Sequence, residues 1–123
     1  MMAFAVTLRP PRSSSSTSRN VALDYEIAQE QASALGRLGR ALEAALAALS
    51  EHERTQSEHS PDAHAASRAK LIRQASDALW CLIVQRECCG LRDPRPVFGD
   101  YRVPAEVRNR MGVFAARLRR NAT

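Results

Sequence analysis

The chain has 123 residues, 45% of them hydrophobic but only 5% aromatic, and carries a net charge of +5. That length holds at most one ordinary domain, and so few aromatics argue against a sheet-rich fold. Three cysteines, an odd number with Cys88 and Cys89 adjacent, exclude a secreted disulfide framework and point to a reducing, cytoplasmic setting.

The positive charge sits at the two ends. Residues 1–20 carry three Arg and no acid, whereas residues 21–60 sum to −4, from three basic and seven acidic side chains. Residues 91–123 sum to +5, from eight Arg and three acids. Basic ends can meet nucleic acid or acidic partners, and they also keep a small protein soluble. Residues 1–20 read as a disordered basic arm, because Pro10-Pro11 and the serine run Ser13–Ser16 make a poor amphipathic helix. A transit peptide is the alternative.

Residues 21–123 form the predicted helical domain. Helix 1 is expected from Asp24 to Arg54. Its apolar register is Ala28, Gln31, Leu35, Leu38, Leu42, Ala45 and Leu49, with steps of three and four and one polar slip. Gly36 and Gly39 interrupt it and mark either a kink or a close approach of another backbone. Ser60-Pro61 is a helix start: serine as cap, proline in the first position, and Asp62 near the positive dipole end. A link of about five to eight residues makes the next helix an antiparallel neighbour.

Helix 2 is expected from Pro61 to Cys89, with Gly90 as a left-handed cap. Its inner stripe is Ile72, Ala75, Leu79, Leu82 or Ile83, and Arg86. A hairpin spanning 24–89 sets Ile72 against Leu42, Leu79 against Leu35 and Arg86 beside Ala28. The two seams match. In the C-terminal segment, 93–120, Asp93-Pro94 opens a short helix to Tyr101. Pro104 opens another through Met111, Gly112 stops it, and Val113, Phe114 and Leu118 continue as a frayed tail.

Four stretches, Leu23–Glu26, Gly36–Arg40, Gln85–Asp93 and Tyr101–Gly112, resemble those of a family of small uncharacterised bacterial proteins grouped as a domain of unknown function. The resemblance covers most of the chain after residue 20. It implies a bacterial origin and no chemistry.

The residues that carry chemistry favour bland readings. His52, His59 and His64 fall in or beside the link, far from the cysteines, with no closed Zn spacing, so they read as solvated. Cys88 and Cys89 lie at the negative end of a helix dipole, which disfavours a thiolate. The Gly36–Gly39 stretch, GRLG, matches an RNA-clamping GxxG, but its leucines fit a continuous seam. No nucleophile–base set, phosphate loop or paired carboxylate appears, so no catalytic residue, metal or cofactor is expected and the chain reads as a non-enzyme.

Arg86 lies on the inner stripe and calls for a carboxylate. Glu26 or Glu30 is the expected structural ion pair, and a small ligand near Arg86, Glu26 and Tyr25 is an alternative. Arg108, Arg110 and Arg117 would serve a DNA-binding alternative built on the basic C-terminal helices. Finally, Ala78–Val84 is an unbroken apolar run, too short for the roughly 20 residues of a membrane span. As a helix it is apolar all round, and one neighbour cannot cover it. Leu79, Trp80, Ile83 and Val84 are therefore the expected interface. The expected assembly is an all-α hairpin with short C-terminal helices, paired as a homodimeric four-helix bundle, and its expected role is protein–protein interaction or scaffolding.

Overall fold

A computed structural model describes residues 10–58 and 60–122 and their side chains except those of residues 10–16, 114–119 and 122. Four α-helices account for nearly all of it: α1 Pro10–Arg54, α2 Pro61–Cys88, α3 Arg95–Asp100 and α4 Ala105–Ala122. No strand occurs among the described residues. Two compact units divide the chain, Met1–Ser33 and Ala34–Thr123.

In the first unit, α1 begins at Pro10 rather than at Asp24, so the described part of the expected arm is helical. Two prolines at a helix start lose little, because the first turn has no internal partner for their missing amides. Residues Thr17–Glu30 are exposed throughout.

The second unit holds the core. Leu42 and Leu49 from α1 meet Ile72, Ala75, Leu79, Leu82 and Ile83 from α2, with Val97, Val103 and Val107 from the last third of the chain. Leu35 packs at the edge of this cluster. The reversal between α1 and α2 is a short 3-10 turn, Gln56–Glu58. Ser60 then caps α2 as its sequence requires: its hydroxyl accepts from the Ala63 amide at 3.3 Å, and Pro61 takes the first position.

Buried Ser76 fixes α4 to α2. Its hydroxyl reaches both the Ile72 carbonyl, at 2.8 Å, and the Val107 carbonyl, at 3.2 Å. A single hydrogen is shared between the two acceptors.

α2 and α3 end in the same way. After α2, the Leu91 amide donates to the Arg86 carbonyl and the Gly90 amide to the Glu87 carbonyl, with Gly90 at φ 88°. After α3, the Val103 amide donates to the Phe98 carbonyl and the Arg102 amide to the Gly99 carbonyl, with Arg102 at φ 51°. This ending needs one left-handed residue, and glycine supplies it without a Cβ clash. Arg102 is the only non-glycine residue with positive φ among the described residues.

Gly39 is buried in α1, and a Cβ added there would clash with the Tyr101 hydroxyl. The close approach predicted for the glycines is therefore made at Gly39, by a side chain rather than a backbone. α4 runs through Gly112 to Ala122, so Gly112 does not stop it. A lone helical glycine costs about 1 kcal/mol against alanine, too little to end a helix held elsewhere.

Candidate functional site

A groove opens in the second unit where the end of α1, the first half of α2 and the α3–α4 turn meet. Leu46, Leu49, Ile72 and Pro104 give it apolar walls, and Arg68 and Arg102 stand at its polar side. Its volume is about 540 Å³, in the range of small-molecule sites.

Arg68 joins three helices. Its Nε donates to Glu53 on α1 at 2.5 Å, while Nη1 and Nη2 make a fork with the two carboxylate oxygens of Glu106 on α4, at 2.7 and 2.8 Å. Planar guanidinium matches carboxylate in this way and ammonium does not. The fork pushes the Arg68 guanidinium further up from its already high range and holds the Glu106 carboxyl below the usual carboxylate range. Across the turn, Arg102 is exposed, and among the described residues its guanidinium makes no hydrogen bond or ion pair.

Close to the chain reversal, the His64 ring stacks on that of His52, with centroids 4.3 Å apart and planes 19° from parallel. His64 is buried, and its Nδ1 has no hydrogen bond. The expectation of a solvated His64 is thus corrected, since a ring placed in the first turn of α2 packs as an apolar surface. His59 lies outside the described residues. No group of three or more His, Cys, Asp or Glu is placed to hold a metal among the described residues.

The residues singled out from sequence are scattered. Leu79 and Ile83 lie inside the chain's own core. Trp80 is half-buried and Val84 is 37% exposed. Arg86 donates through Nη2 to the Asp93 carbonyl at 3.2 Å, and its Nε is buried without a hydrogen bond. Glu26, Glu30 and Tyr25 are exposed in the first unit. Arg108 lies over the Phe98 ring, 5.4 Å from its centroid, and Arg110 is exposed. The Arg117 side chain lies outside those described. Cys81 and Cys88 are exposed and Cys89 is half-buried, all as free thiols.

Sequence reading did not reach Arg68, Glu53, Glu106 or Arg102. The first three are ordinary exposed-face residues until the helices are assembled. Arg102 had a signal, the Tyr-Arg-Val-Pro sequence between two helix patterns, which demands a turn.

A family profile matches residues 8–119, and its description is a family of unknown function. No curated protein and no solved structure matches the chain. No helix among the described residues is long and apolar enough to cross a membrane.

Proposed function

We propose a role from geometry, because the chain belongs to a family of unknown function (DUF6665): it is a non-catalytic helical interaction module that pairs with a second copy of itself through the first part of α1. One observation carries the reading. Val21, Leu23, Tyr25 and Ile27 are 62%, 54%, 70% and 48% exposed on a single helical stretch. Helices draw most of their stability from packing an apolar face rather than from propensity. By helical spacing Val21, Tyr25, Ala28 and Ala32 share one face. Its two alanines leave room for a second helix to come close.

The half-covered Trp80 and Val84 supply a second patch for a partner.

Sedimentation of the whole chain at micromolar concentration tests the reading. Twice the chain mass is expected, falling to a monomer for Val21→Glu with Tyr25→Glu and staying dimeric for Val84→Glu. A wild-type monomer at that concentration would sink the proposal. Dissociation by Val84→Glu alone would move the contact to the Trp80 patch.

A further inference from the structure

The positive charge of the chain gathers on α4. Residues 1–33 balance at three basic and three acidic side chains, so residues 34–123, with fifteen against ten, hold the whole net charge of +5. α4 contributes Arg108, Arg110, Arg117, Arg119 and Arg120 against a single acid, Glu106. That acid is already taken, because the Arg68 guanidinium engages both of its carboxylate oxygens. Beside this fork, Arg73 of α2 and Arg110 of α4 line one recess with Arg68 and Glu106. Both are exposed, and neither makes an ion pair among the described residues. With Glu53 also counted against Arg68, the recess keeps one surplus positive charge. No acid follows Glu106 along α4.

Helix length is an independent observation. A helix stopped at Gly112 would offer about two turns. α4 instead runs for 18 residues, Ala105–Ala122, roughly 27 Å. One side of it is spent on the fold: Val107 lies in the core, Met111 packs against that core, and Ser76 bonds the Val107 carbonyl. Arg108, Asn109, Arg110 and Gly112 stand exposed, with Arg108 braced over the Phe98 ring of α3. Val113 is the one large apolar residue exposed on α4 among the described side chains. A membrane surface or a protein hot spot needs more apolar area than that, whereas nucleic-acid interfaces are polar and strongly positive.

We propose that α4 binds duplex DNA, lying along the major groove, which admits an α-helix, with Arg73 and Arg110 on backbone phosphates. The inference rests on the second unit alone and holds whether or not the chain pairs through α1.

The test titrates the full chain against a short random-sequence DNA duplex by fluorescence anisotropy. Saturable binding at low salt is expected, with log affinity falling on log salt by about 0.9 for each phosphate neutralised. Arg73→Ser with Arg110→Ser should weaken binding at least tenfold and make that slope shallower, with the melting temperature unchanged. Arg95→Ser, whose guanidinium is held by Asp93, should leave affinity as it is. Glu106→Gln removes the one acid of α4 and should tighten binding, a gain that loss of fold cannot produce. Duplex RNA should bind several-fold more weakly, since its deep, narrow major groove does not take a helix. No binding at low salt, or an unchanged affinity in the double variant, overturns the proposal. Equal affinity for duplex RNA overturns the groove placement, and equal affinity for polyglutamate or anionic vesicles overturns the choice of DNA.

Discussion

A Cβ on any other residue at Gly39 would clash with the Tyr101 hydroxyl, with the ring Cζ 3.5 Å from the same Cβ position. Glycine at 39 is thus a packing requirement of the α3–α4 turn, set against the helix propensity of α1. Gly36 differs: a Cβ there meets only the end of the flexible Arg40 side chain, at 3.3 Å. Gly36→Ala should therefore gain up to about 1 kcal/mol. Gly39→Ala should gain nothing or lose stability, and should recover the gain when combined with Tyr101→Phe. Denaturant melts of the four variants would give a coupling of roughly 1 kcal/mol between 39 and 101, and simple additivity would contradict the contact.

Arg102→Gly should stabilise the fold. The left-handed backbone at φ 51° costs a residue with a Cβ roughly 1 kcal/mol relative to glycine. Thermal unfolding reads this directly. The converse, Gly90→Ala at φ 88°, should destabilise by a similar amount even though nothing lies within 4 Å of the added Cβ.

Ser76→Ala removes the hydroxyl that reaches the Ile72 and Val107 carbonyls. A loss of about 1 kcal/mol is expected. Amide hydrogen exchange should show it as faster opening of the first turns of α4, with the middle of α2 unaffected.

Leu79→Ala should cost about 2–5 kcal/mol, because Leu79 is fully buried and its loss leaves a cavity. Val84→Ala, at 37% exposure, should change stability by less than about 0.5 kcal/mol in a dilute monomer. Chemical denaturation separates the two.

The acid response follows from Asp93 and Glu106. Hydrogen bonds from Arg95 hold the Asp93 carboxyl low, and the Arg68 fork does the same for Glu106. A carboxyl whose folded-state pKa is depressed contributes stability that is fully present above its unfolded value of about 4, and this is lost as pH falls through the folded value. The melting temperature should therefore drop on acidification below about pH 4. Glu106→Gln should flatten that drop.

How far the sequence could be read depended on how local the governing interaction is. Ser60-Pro61 and Gly90 were legible because a cap is set by one or two residues and their neighbours. The buried stripe of α2 was legible because its period is helical. The start of α1 was not, since serines and first-turn prolines neither forbid a helix nor announce one. The stop expected at Gly112 failed for the same reason: a modest glycine penalty yields to a helix held at its other end by Ser76 and Arg68. In the candidate site, Arg68, Glu53 and Glu106 are 15 and 38 positions apart. No periodicity links them, and only assembly brings their charges together.

The last third of the chain sets when the fold becomes safe during synthesis. Leu79, Leu82 and Ile83 share their core with Val97, Val103 and Val107, and the ribosome makes the valines last. A nascent chain ending near Gly90 has built its two long helices but still shows water the face those valines cover. Such a face is a site for chaperones or for clumping. Shortening the chain before Val107 would therefore act first on yield and solubility in the cell, before any binding property came into play.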